Sequence, residues 1–138
     1  MIPRVPRVVS LWLPVVAWAA LIFLLSSFEA PDVGSGGVDY VVRKLAHLTE
    51  YALLGLLASR AFRGSSRDGL RTRWFLASVI LIVVYALADE YHQSFVPSRT
   101  GSIYDSLIDI AGGFAALIVV RHRNWFSVHQ RRASNSPV

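Results

Sequence analysis

The chain has 138 residues, of which 54% are hydrophobic and 17% charged, with a net charge of +5. An ordinary soluble domain is about 45–50% apolar and about 25% charged, so this composition excludes one and leaves room for a single domain. The lack of any cysteine excludes disulfides, thiolate metal sites and cysteine nucleophiles. All but one of the basic residues are arginines. They flank apolar runs instead of lining one groove, which argues against nucleic acid as a partner.

The first element is an uncharged run from Val8 to Phe28. A run of roughly 18 or more such residues reads as a transmembrane helix. Arg4 and Arg7 precede it, as they would precede a signal peptide. The run is long for a signal h-region, however, and Ala30-Pro31 is a poor cleavage context, so the segment is expected to be retained. Pro14 is tolerable inside a span because neighbouring helices can satisfy the freed carbonyl. The loop "EAPDVGSGG" follows, residues 29–37.

The second span is predicted over Val41–Phe62, then the arginine-rich connector "RGSSRDGLRTR" at 63–73. The third span begins at Trp74 and continues to about Tyr91. A short loop with Pro97 and Gly101 leads to a fourth span, Ile103–Val120. The remaining tail is basic, then polar, and is expected to lack regular structure. The predicted fold is an all-α, integral membrane four-helix bundle of residues 1–122 with a tail of residues 123–138.

Orientation follows from the arginines. The N-terminus, the 63–73 connector and the tail carry nearly all of them. The positive-inside rule makes that side cytoplasmic, with both termini inside. Glu29, Asp32, Asp39 and Arg99 lie on the other side. Trp12, Trp74 and Trp125 fall near the inner boundary, and Tyr40, Tyr91, Phe95 and Tyr104 near the outer one, as interfacial aromatic belts require.

Spans three and four are free of charge only over Trp74–Ala88 and Ile110–Val120, short of the roughly 20 residues that cross a bilayer. Their missing turns must include Asp89 and Glu90, and Asp105 and Asp109. The second span likewise begins with Arg43, Lys44, His47 and Glu50. Residues three, four or seven apart share a helix face. Lys44, His47 and Tyr51 do so, with Glu50 three beyond His47. Asp89 and Gln93 do so, as do Glu90 and Gln93, and Asp105, Asp109 and Gly112. Three polar stripes at one depth can satisfy each other only by facing inward.

Intramembrane ionisable groups default to a functional role. The competing reading is polar glue, with Lys44 and Arg99 neutralising acids. His47 suits a general acid/base or a metal ligand, and Arg99 suits a two-point clamp on phosphate or carboxylate. Glu50, Asp89, Glu90, Asp105 and Asp109 outnumber the nearby cations. Either some stay protonated or a divalent cation completes the balance. His92 should point away from the stripe. Gly112 and Gly113 allow close helix packing.

The segments "KLAHLTEYALLGLL" and "DEYHQSFVPSRTGSIYDSLIDIAGG" resemble the VanZ-like family of small bacterial membrane proteins, whose pattern runs K-x-x-H-x-x-E-Y, D-E-x-x-Q-x-F-x-P-x-R, D-x-x-x-N-x-x-G. Lys44, His47, Glu50, Tyr51, Asp89, Glu90, Gln93, Phe95, Pro97, Arg99, Asp105 and Gly112 meet it. "LLSSFEAP" at 24–31 is similar to the end of the family's first span. Asp109 departs from the family's usual Asn, and a protonated Asp109 would substitute for the amide. The family's founding member is linked to low-level resistance to teicoplanin, a lipid-tailed glycopeptide antibiotic. The resemblance therefore implies a multi-pass protein of the bacterial cytoplasmic membrane that acts at the cell envelope.

Two functions stay open. In one, an enzyme acts on a lipid or polyprenyl-linked headgroup in an outward-facing polar pocket. His47, Glu50, Asp89 and Glu90 form the catalytic set, and Lys44, Tyr51, Gln93, Arg99, Asp105 and Asp109 bind substrate. In the other, the same residues form a non-catalytic binder or transporter-like module for an envelope lipid, lipoglycopeptide or protein partner. The topology has a direct test. A cysteine at Ser35 should label from outside the cell and one at Ser66 should not; the reverse pattern would overturn the orientation.

Overall fold

The computed structural model describes residues 6–28, 37–65, 68–96 and 102–134, with side chains to residue 123 apart from those of Asp39 and Leu70. Four long helices, α1 (Arg7–Ser27), α2 (Gly37–Gly64), α4 (Trp74–Gln93) and α5 (Ile103–Ser134), form an all-α bundle, with a short helix α3 (Asp68–Thr72) between α2 and α4. The starts expected at Trp74 and Ile103 are those observed. Pro14 lies inside α1 without ending it.

Two expectations are corrected. The 63–73 connector is partly helical, as α3, where Asp68 and Arg71 form an exposed ion pair at 3.0 Å. The tail also continues α5 as far as Ser134. No Gly or Pro stands between Gly113 and Pro137, so nothing local stops the helix at the end of the apolar run.

Among the described residues, three helical stretches are long and apolar enough to cross a membrane: Arg7–Ser27, Trp74–Gln93 and Ile103–Arg123. Helix α2 falls outside that set because of its polar first half, although its 28 residues reach about 42 Å at 1.5 Å per residue. Its place in the bundle explains how it is tolerated: α2 packs against each of the other four helices. Its polar groups therefore face protein on several sides.

Contacts along the helices give their directions. Lys44 meets Asp105 near the starts of α2 and α5, and Gly55 meets Gly113 further along both. The two helices run the same way. Helices α1 and α4 run the other way. The Ser10 carbonyl, near the start of α1, accepts a bond from Arg60 near the end of α2. Trp74, at the start of α4, lies under the Arg63 guanidinium at 5.4 Å.

Val15, Ile22, Tyr51, Leu54, Ile82, Ala86 and Leu117 form the apolar core. The outer surface is also apolar, with Leu13, Val16, Leu24, Ile80, Val84 and Val119 all more than half exposed. Water would penalise such a surface; lipid does not. Tyr40, Tyr91, Phe95 and Tyr104 are exposed, as residues of an aromatic belt should be. Trp12 is instead half-buried, edge-on to Phe62 at 5.0 Å. The Trp125 side chain lies outside the described residues.

Glycines set the closest approach of α2 and α5. A Cβ on Gly112 would overlap the Leu48 carbonyl oxygen, and one on Gly55 would lie 2.8 Å from the Gly113 carbonyl oxygen. Both obstacles are backbone, which has no rotamer to change. Gly112→Ala should therefore destabilise the bundle by about 1–3 kcal/mol, despite the roughly 1 kcal/mol that alanine gains in helix propensity. Reversible unfolding in detergent micelles measures this. An unchanged midpoint would mean that the two backbones do not touch there.

Candidate functional site

The buried faces of the helices change character along their length. On α4 the buried residues are Ser78, Ile82 and Ala86, then Asp89, Glu90 and Gln93. One helical stripe thus begins apolar and ends polar. On α5, Ser106 and Asp109 precede Gly112, Gly113 and Leu117 on the buried side. On α2, Lys44, His47 and Glu50 are half-buried before the fully buried Tyr51. The polar halves lie at the same end of the bundle, and their side chains meet there.

Asp89 is 3% exposed and is anchored through one oxygen. Its Oδ2 accepts bonds from Ser26 Oγ at 3.0 Å and from Gln93 Nε2 at 3.0 Å. Gln93 Nε2 also lies 3.3 Å from Ser26 Oγ, which closes a three-residue ring between α1 and α4. The other oxygen, Asp89 Oδ1, is buried with no hydrogen-bond partner. Across the cluster, His47 Nδ1 lies 3.2 Å from Asp109 Oδ1. Asp109 is 1% exposed, and the angle of this contact does not make a hydrogen bond for either atom.

The rim is better satisfied. Lys44 forms an ion pair with Asp105. Glu90 Oε2 accepts the Ser102 backbone N–H at 2.7 Å, holding the start of α5 against the end of α4. Trp18 Nε1 donates to the Glu50 carbonyl at 2.9 Å, which brings α1 onto the polar half of α2. Tyr51 Oη and Ser106 Oγ are buried without hydrogen-bond partners.

The sequence-predicted residues fall into three groups. His47, Asp89, Gln93 and Asp109 are at the centre, with Tyr51 buried beside the same stripe of α2. Lys44 and Asp105 occupy the rim, Glu90 is buried near the end of α4, and Glu50 is half-buried on α2. Arg99 and Pro97 lie outside the described residues. His92 turns away from the cluster, as its register requires. It sits 2.9 Å from Ser27 Oγ and stacks on Phe23 with ring centroids 4.2 Å apart.

Two members escaped the charge-based reading, Ser26 and Ser106. Ser26 had a signal in its register. It lies four residues beyond Ile22 and eleven beyond Val15, the other buried positions of α1. One arrangement at the centre has the chemistry of a metal site. His47, Asp89 and Asp109 each offer a ligand atom, and the three atoms lie within 4.8 Å of one another.

The chain matches the family model described as VanZ/LLP1 over residues 7–126. That range contains all four long helices' contributions to the cluster. No curated protein and no solved structure matches the chain. The ordered motifs on α2, α4 and α5 and the match over most of the length lead to one conclusion: the chain belongs to the VanZ/LLP1 family.

Proposed function

We propose that this protein is an envelope enzyme of the cytoplasmic membrane, using the polar end of its bundle on a lipid or polyprenyl-linked headgroup in the outer leaflet. The observation that carries the reading is the His47–Asp109 contact at 3.2 Å between a half-buried imidazole and a fully buried carboxylate. An imidazole in charge contact with a buried carboxylate is suited to general acid/base exchange. Low-dielectric surroundings strengthen it.

In this reading His47 exchanges protons with the headgroup, with Glu50, Asp89 and Glu90 in the proton-handling set. Lys44 and Arg99 take an anionic group, a phosphate or carboxylate. Lys44 is engaged with Asp105, so an incoming anion exchanges places with that carboxylate. Tyr51, Gln93 and Asp109 orient the substrate or a water. The headgroup enters from the rim, where Lys44 and Asp105 are 21% and 31% exposed, because Asp89 and Asp109 are closed to solvent. The teicoplanin link of the family's founding member fits an enzyme that alters envelope lipids.

A second reading has one observation in its favour. An apolar groove of about 500 Å³ runs along α4, lined by Ala77, Ile80, Leu81, Val84, Tyr85 and Ala88 with Phe62 of α2. It suits an acyl or prenyl chain. A module that only binds or carries a lipid or lipoglycopeptide would need such a groove and no chemistry.

Lipid mass spectrometry of the purified protein, with teicoplanin susceptibility of a host carrying it, separates these readings. The wild-type chain should retain a phosphate-bearing lipid and raise the teicoplanin concentration that the host survives. Arg99→Ala should lose the lipid. His47→Gln should keep the lipid and lose the protection if the protein is an enzyme, whereas unchanged protection would leave it a binder. A folded wild-type chain carrying no phosphate-bearing lipid would overturn the headgroup assignment.

A further inference from the structure

The geometry points to a divalent transition-metal site formed by His47 of α2, Asp89 of α4 and Asp109 of α5, with Ser26 and Gln93 fixing Asp89 from behind. We base this on three independent features of the cluster, none of which depends on the headgroup reading.

The first is the arrangement of unpaired atoms. His47 Nδ1, Asp89 Oδ1 and both oxygens of Asp109 are buried and make no hydrogen bond. Asp89 and Asp109 are 3% and 1% exposed, so water does not satisfy them in bulk. Buried polar atoms are nearly always partnered. Orphaned atoms stand on three helices, and His47, Asp89 and Asp109 each bring a potential ligand atom within 4.8 Å of the other two, an arrangement that one shared partner would satisfy. A proton would satisfy one oxygen and leave acceptors beside it still unpaired. A single cation satisfies Asp89 Oδ1, Asp109 Oδ1 and His47 Nδ1 together, and it offsets the repulsion of two enclosed carboxylates.

The second is spacing. Ligand atoms bound to one first-row ion at roughly 2.0–2.2 Å stand roughly 2.8–3.6 Å apart at octahedral cis to tetrahedral angles, and up to about 4.4 Å when trans. His47 Nδ1 and Asp109 Oδ1 stand 3.2 Å apart, yet off the line a hydrogen bond needs.

The third is the support of the ligands. Metal-binding carboxylates are held by outer hydrogen bonds that aim the free oxygen. Asp89 has that form: Ser26 Oγ and Gln93 Nε2 both bind Oδ2, and Oδ1 is left for the ion. Lys44, the nearby ammonium, is directed at Asp105 and leaves the central carboxylates to another positive charge. An imidazole with two carboxylates selects an ion such as Zn²⁺ over Ca²⁺ or Mg²⁺, which prefer all-oxygen shells. Three protein ligands leave a coordination position for a water or substrate oxygen.

Calorimetric titration of the tag-free, metal-stripped full-length chain in micelles with Zn²⁺ alone tests the assignment. The wild-type chain should bind one Zn²⁺ saturably. His47→Gln and Asp109→Asn should each weaken binding at least tenfold, and Ser26→Ala should weaken it by about 10–100-fold through its effect on Asp89. His122→Gln, an exposed histidine on α5 far from the cluster, should bind as the wild type does. Circular dichroism establishes which variants fold. If Asp109→Asn does not, the visible spectrum of the Co²⁺-loaded wild-type chain decides, since direct coordination requires that spectrum to change in His47→Gln. A folded wild-type chain with no saturable site, or a folded His47→Gln chain that binds equally well, would overturn the proposal. No lipid enters this titration, so its failure leaves the headgroup reading standing, and the reverse also holds.

Discussion

Everything in this molecule depends on where a helix with a polar half can cross a bilayer. Helix α2 carries Arg43, Lys44, His47 and Glu50 within its first half. Exposed to lipid, each such group near mid-membrane would cost roughly 2.5–3.5 kcal/mol on insertion scales. Packing around α2 leaves Lys44, His47 and Glu50 half-buried, while Arg43 stays exposed. Helices α1, α4 and α5 pack on α2, and α4 and α5 bring their own polar halves to the same end. The apolar halves then build the core through Leu54, Ile82 and Leu117. The division of each helix into a greasy part and a polar part is one pattern repeated on three elements, and the cluster results from their alignment.

The arrangement also explains why the cluster is a poor candidate for simple adhesive. A buried polar network stabilises when every member is satisfied and costs stability when members are left over. Here Lys44 pairs with Asp105, and one oxygen of Glu90 accepts the Ser102 N–H. Atoms of His47, Asp89, Asp109, Tyr51 and Ser106, and the other oxygen of Glu90, are enclosed without partners. A buried polar cluster with that many unsatisfied atoms has the character of a receptacle.

The helical periods of 3, 4 and 7 made the ionisable members legible in the sequence. Asp89 and Gln93, four apart, do bond, and His47 and Asp109 do meet across helices. Span-length counting likewise found the starts of α4 and α5, because apolar runs too short for a membrane must borrow polar turns. Serines were not legible in this way. Ser27, Ser59 and Ser78 each bond a carbonyl of the preceding turn, the usual means of hiding a hydroxyl in an apolar helix. Nothing in the composition of "LLSS" separates Ser27, which bonds its own turn and His92, from Ser26, which reaches into the cluster at Asp89. The pairing of Lys44 with Asp105 was equally hidden, since sequence spacing orders residues within a helix and not between helices. The end of an apolar run does not mark the end of a helix, and α5 continues past Val120 to Ser134. No Gly or Pro interrupts it there.

The glycine contact between α2 and α5 has a consequence for how the site responds to its surroundings. His47 lies one residue before Leu48, and Asp109 three before Gly112, so the pair sits beside the place where backbone touches backbone. Their separation is set there by peptide planes and not by rotamers. Membranes differ in thickness by several ångströms, and helices accommodate the difference by tilting. Two helices locked through glycine tilt together, as one rod. Changes in bilayer thickness would therefore fall on the looser contacts of α1, while the distance between imidazole and carboxylate is preserved.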